Sequence, residues 1–140
     1  MRTEVTAEVR VARSREEVAR YATDWRNDTE WIGALTDVEL VGEEPLRVRR
    51  VASFLGRRIE YVNEAVELEP GRRLLMRSVK APFPMTVAYE FEDAGEGTLM
   101  RITTGGDATG FYRIAGPLLA RAVKRGVEGD LARLKRRLEN

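Results

Sequence analysis

The sequence contains neither cysteine nor histidine. The first absence excludes disulfides, thiolate metal sites and cysteine nucleophiles. The second removes the most common general base and the most common metal ligand, so any acid–base chemistry falls to Asp, Glu, Lys, Tyr or Arg. No apolar run approaches the ~18 residues of a membrane-spanning helix. The opening MRTEVTAEVR lacks the apolar centre of a signal peptide. Charge of one sign is lacking too: 24 basic and 23 acidic side chains leave a net charge of +1. These absences lead us to expect one cytoplasmic domain spanning residues 1–140, with no metal, no cofactor, no nucleic-acid partner and no stable membrane insertion. Either a monomer or a homodimer is compatible with them.

What is present suits a folded core: 140 residues, 43% of them hydrophobic. Basic residues gather late, with Arg121, Lys124, Arg125, Arg133, Lys135, Arg136 and Arg137 set against Glu128, Asp130 and Glu139. Cations near a helix C-terminus complement its macrodipole, and no nucleic-acid motif accompanies them, so a solvated helix face accounts for the cluster.

TEVTAEVRVA alternates, with Val5, Ala7, Val9 and Val11 on one face, as a half-buried strand does. SREEVARYA follows. Ser14 and Glu17 form a capping box there, and Val18, Tyr21 and Ala22 make an apolar stripe. Asp24 can start a second short helical segment ending near Gly33. From Leu35 the chain reads as strand and turn in succession: LTDVELVG, LRVRRVASFLG, RRIEYVNEAVELEP, RRLLMRSVKAPFP, MTVAYEFEDAGEG and TLMRITTGGD. Short turns between strands, and no β-α-β spacing, imply an antiparallel meander. Apolar residues then recur at helical spacing from Phe111 to Leu138, with Gly116-Pro117 expected to break or kink the helix. Leu131 and Leu134 belong to its inward stripe, Arg133 and Arg137 to its outer face.

This order resembles the helix-grip fold of the START-like, or SRPBCC, superfamily, which includes a polyketide cyclase/dehydrase and lipid-transport family. The residues carrying the resemblance are VRVARSREEVARYATD, Trp31 after Glu30, AVELEPGRRLLMRS and the ending LARLKRRLE. It implies an α+β fold in which a curved antiparallel sheet, β-α-α followed by five or six strands, wraps around a long C-terminal helix. It also implies an apolar cavity between sheet and helix. Strand parity then nominates Phe54, Ile59, Tyr61, Asn63, Met76, Val87, Tyr89 and Ile102 as cavity-lining, with Phe111, Leu118, Leu119 and Val123 from the helix and Trp31 from the second short helix.

Trp31 also reads as a plug of the core, and Trp25, beside Asp24 and Arg26, as half-exposed. Asn63 is in phase with Ile59 and Tyr61; Arg101 should point outward between Met100 and Ile102. The acids fall mostly at turns or outward positions such as Glu60, Glu64, Glu90 and Glu92, and no phosphate loop or nucleophile elbow is present. Two functions stay open. One is the carriage or sensing of a hydrophobic small molecule such as a lipid, polyketide or isoprenoid. The other is a polyketide cyclase or dehydratase acting by positioning and proton transfer in the same cavity. A weaker third is an interaction protein whose cavity is filled by its own side chains.

Overall fold

The computed structural model describes residues 3–140. Strand β1 (Thr3–Val11) leads into helix α1 (Arg15–Thr23), a single tight turn at Trp25–Asn27 and the short helix α2 (Asp28–Trp31). Six strands follow: β2 (Leu35–Glu43), β3 (Leu46–Phe54), β4 (Arg57–Glu69), β5 (Arg73–Lys80), β6 (Met85–Ala94) and β7 (Gly97–Gly106). The chain closes with a one-turn helix α3 (Thr109–Tyr112) and the long helix α4 (Gly116–Glu139).

The seven strands form one antiparallel sheet in the order β1-β7-β6-β5-β4-β3-β2. Only β1 is displaced from sequence order, because α1 and α2 carry the chain from one edge of the sheet to the other. Register shifts interrupt the β2–β3 and β4–β5 pairings. Bulges of this kind bend and twist a sheet, here around α4. This is the helix-grip architecture that the element order implies.

Local signals act as their chemistry requires. Ser14 Oγ accepts from the Glu17 N–H at 3.2 Å, capping α1. The two-residue turn between β3 and β4 places both Leu55 (φ 49°) and Gly56 (φ 77°) in the left-handed region, the geometry whose twist matches a tight hairpin. Pro117 does not kink α4 from within. It sits in the first turn, where a missing N–H costs nothing, and the break falls earlier, at Arg113 (φ 53°) after α3.

Inner-face residues follow strand parity across the pairings: Ala7 opposite Ile102, Ile102 opposite Tyr89, Tyr89 opposite Leu74. With Trp31, Met76, Phe91, Met100, Leu131 and Leu134 they make one buried core. The end of α4 is tied to β1. Lys135 Nζ donates to the Arg10 carbonyl at 2.7 Å, and Glu139 Oε2 accepts from the Ala12 N–H at 2.7 Å.

Candidate functional site

Nearer its N-terminus, α4 stands clear of the sheet and leaves a cavity of about 230 Å³. One side is apolar. Val87 and Ile102 reach it from β6 and β7, facing Leu119, Val123 and Val127, which recur every fourth residue along α4. Its rim is formed where the β5–β6 connection meets the ends of β1 and β7, by Thr3, Phe83, Met85, Gly105, Gly106 and Ala108. A Cβ on Gly106 would lie 2.6 Å from the Pro84 carbonyl oxygen, so the crossing there requires glycine.

The opposite side is polar and buried. Arg50 on β3 is 5% exposed, and its Nη2 donates to Asp28 Oδ2 of α2 at 2.6 Å. Tyr61, paired with Arg50 across β3–β4, and Tyr89 of β6 bring their hydroxyls to the same guanidinium. Asn63 (4% exposed) and Trp31 (1% exposed) complete the wall, Trp31 with its ring centroid 5.7 Å from that of Tyr89. Asp130 enters from α4; its Oδ1 accepts from the Gly33 N–H at 2.9 Å and is paired with Arg133.

Burial governs the titration of this wall. It pushes the Asp28 carboxyl up, against the pull of Arg50. It pushes Asp130 up, against the Gly33 N–H and Arg133. The Tyr61 and Tyr89 phenols rise for the same reason, again opposed by Arg50. Burial alone would lower the Arg50 pKa, but the oxygens of Tyr89, Asp28 and Tyr61 outweigh it and the net direction is upward. Arg50 therefore stays a cation, its charge met by Asp28.

Among the described residues, three atoms of the wall have no hydrogen-bond partner: Trp31 Nε1, Arg50 Nε and Asn63 Oδ1. Among the described residues no cluster of carboxylates is placed to hold a metal ion, and no helix is long and apolar enough to cross a membrane.

Residues 2–139 match the model of a family described as polyketide cyclase/dehydrase and lipid transport. The chain belongs to that family. No curated protein matches it. Among solved structures it is similar to the protein TTHA0849 of Thermus thermophilus, with 25% identity, 97% of each chain covered and a TM-score of 0.84. A START superfamily protein from Mycobacterium smegmatis superposes with a TM-score of 0.85 at 15% identity, covering 97% of each chain. The Zhui aromatase/cyclase from a Streptomyces species gives 0.81 at 19% identity, over 99% of this chain and 94% of that one. The last two likenesses establish the START-like fold and nothing finer.

Of the residues that parity, helical spacing and the resemblance nominate, this family member brings Trp31, Tyr61, Asn63, Val87, Tyr89, Ile102, Leu119 and Val123 together around the cavity. Five others stand elsewhere. Leu118 is 52% exposed, because α4 begins at Gly116 and its inward stripe runs through Leu119. Met76 fills the solid core. Ile59 is buried beside Ala52 close to the β3–β4 turn. Phe54 packs edge-on against Tyr112 at 5.6 Å. Phe111 lies behind Phe83, at 5.3 Å, with the Arg57 guanidinium stacked on its ring.

The charged members of the wall are absent from the sequence-based set. Arg50 could have been found: it is in phase with the buried Val48 and Ala52 and opposite Tyr61. Asp130 follows Val123 and Val127 on one helical face, and Asp28 precedes Trp31 by three residues on α2. Arg101 points outward, to Glu8 and Glu92.

Proposed function

We propose that the chain binds a hydrophobic small molecule in the space between the sheet and α4, as a carrier or sensor. The observation carrying this reading is the cavity itself, with an apolar side of Val87, Ile102, Leu119, Val123 and Val127 facing a short polar wall. Ligand sites are generally apolar with a few placed polar groups. The family's description, which includes lipid transport, supports the same reading. The test is titration with a neutral apolar fluorophore such as an N-phenylnaphthylamine. Saturable binding at about one per chain is expected, with quenching of tryptophan emission. Trp31 borders the cavity and Trp25 lies half-exposed outside it. Trp25→Phe should therefore keep the response and Trp31→Phe lose most of it. Absence of saturable binding would end this reading.

A second reading, a polyketide cyclase or dehydratase, is favoured by one observation. Asp130, a carboxyl whose pKa burial raises, shares the cavity with the Arg50 guanidinium and two phenols. A cation beside a substrate carbonyl would stabilise charge developing on its oxygen, and a carboxyl of raised pKa can carry a proton. Turnover of a poly-keto thioester analogue that Asp130→Asn abolishes, with binding of the fluorophore retained, would favour the enzyme.

A further inference from the structure

The polar wall holds more hydrogen-bonding capacity than the protein itself uses. Buried polar groups in folded proteins are almost always partnered, and an orphan costs the full penalty of its desolvation. Here three orphans, Trp31 Nε1, Arg50 Nε and Asn63 Oδ1, belong to three side chains of one cavity. Two are donors and one is an acceptor. The geometry points to a ligand whose buried end is a neutral head carrying both functions. A carbonyl-type oxygen would accept from Trp31 Nε1 and Arg50 Nε, and an adjacent hydroxyl or N–H would donate to Asn63 Oδ1. This assignment rests on the cavity being a ligand site, as proposed above.

The charge balance of the wall excludes the obvious alternative, a carboxylate such as a free fatty acid. Arg50 is already met by Asp28 at 2.6 Å, and Arg133 by Asp130. A carboxylate entering beside two carboxylates and two guanidiniums would add a buried charge with no free countercharge. It would also leave Asn63 Oδ1 unanswered, because an ionised carboxylate only accepts. A neutral ketone answers the two donors and leaves the amide oxygen orphaned. A hydroxy-carbonyl or a primary amide answers all three.

Four naphthalene derivatives that differ at one ring position separate these cases: ethyl, methyl ketone, primary carboxamide and carboxylate. Calorimetric titration at neutral pH should rank the carboxamide first, then the ketone, then the ethyl compound. About tenfold in affinity or more is expected between the carboxamide and the ethyl compound, because hydrogen-bonding sites discriminate strongly against analogues lacking the matching group. The carboxylate should bind at least about tenfold more weakly than the carboxamide.

An independent readout is the indole N–H resonance of Trp31. It should move downfield with carboxamide or ketone and stay with the ethyl compound. Asn63→Leu should erase the advantage of carboxamide over ketone; if it persists, Asn63 does not read the donor. Should that variant fail to fold, the wild-type ranking and the indole shift decide alone. Binding of the ethyl compound as tight as that of the carboxamide, or tightest binding of the carboxylate, overturns the head-group assignment while leaving the apolar site standing. Failure of all four to bind overturns both.

Discussion

From Leu131 to its end, α4 lies directly on the sheet; from Leu119 to Val127 the same helix spans a hollow. Both stretches carry apolar residues at helical spacing, and both face strands of one continuous sheet. The difference lies in what stands between. At the far end Leu131 and Leu134 meet Trp31, Phe91 and Met100, large side chains that fill the gap, and polar ties to Arg10 and Ala12 hold the helix to β1. At the near end the facing residues include Val87, Thr104, Gly105 and Gly106, which are too small to reach across. The volume of the side chains opposite the helix, rather than hydrophobicity on the helix, separates core from site along this interface. The polar wall sits at the junction, with Asp130 between Val127 and Leu131.

The largest test of this contrast is a charge placed in the packed end. Leu134 has no exposed surface, and Leu134→Asp should abolish cooperative folding, since an unpaired buried charge costs several kcal/mol. Arg137→Ala, at an exposed position, should change stability by less than about 0.5 kcal/mol in urea melts. Arg133 is no equivalent control. Although it shares the outer face by helical spacing, its Nε donates to the Trp31 carbonyl at 3.0 Å and its fork pairs with Asp130.

Next in size is the junction. Asp28→Ala removes the partner of a guanidinium that remains buried, and should cost about 3–5 kcal/mol. Asp24→Ala, which breaks an ion pair with the exposed Arg26 and removes the cap on the Arg26 N–H, should cost clearly less. Similar losses for the two would mean that the Arg50 guanidinium finds solvent.

A smaller effect distinguishes filled from hollow directly. Leu134→Ala should cost about 2–5 kcal/mol by opening a void in close-packed surroundings. Val127→Phe adds volume, which in a packed core typically costs about 1–3 kcal/mol. Facing the cavity, it should instead leave the urea midpoint nearly unchanged and abolish binding of an apolar fluorophore. A strongly destabilised Val127→Phe would show that the helix has no room there.

How much of this was legible beforehand follows from the same contrast. Strand alternation and helical spacing are local, so they report which face of each element turns inward; the six strands after α2 and the inward line through Leu119, Val123 and Leu131 could be read directly. Whether an inward residue meets another side chain or empty space depends on the opposite element. Met76 and Val87 are direct cross-strand partners with the same parity, yet one fills core and the other lines the cavity. Arg50 was hidden for a different reason. It lies in the run Arg47, Arg49, Arg50, where charge suggests a solvated face, and only its phase with Val48 and Ala52 marks it as inward. Its partner Asp28 is far away in sequence, on a helix too short to show periodicity.

The finest probe is alkaline titration of the tyrosines, which lie on both sides of the contrast. Tyr21 belongs to α1 and donates to Glu30 at 2.8 Å, near Arg137 at the packed end. Tyr61 and Tyr89 face the cavity, and Tyr112 lies beyond its rim. Burial raises all four above the ordinary value of 10.0, helped at Tyr21 by Glu30 and opposed at Tyr61 and Tyr89 by Arg50. A phenol whose folded pKa is raised stabilises the fold fully below its unfolded pKa, and that contribution is lost as pH rises from there through the folded value. The tyrosines' own contribution should therefore be constant through neutral pH and fall from about pH 10 upward, with tyrosinate absorbance appearing together with loss of the helical circular dichroism signal. A ligand seated in the cavity keeps water from Tyr61 and Tyr89, so it should delay both changes to higher pH. One tyrosine ionising near pH 10 with the helix signal intact would identify a phenol in free contact with solvent. If that phenol proved to be Tyr61 or Tyr89, the polar wall would be open to water and could not hold a buried ligand head.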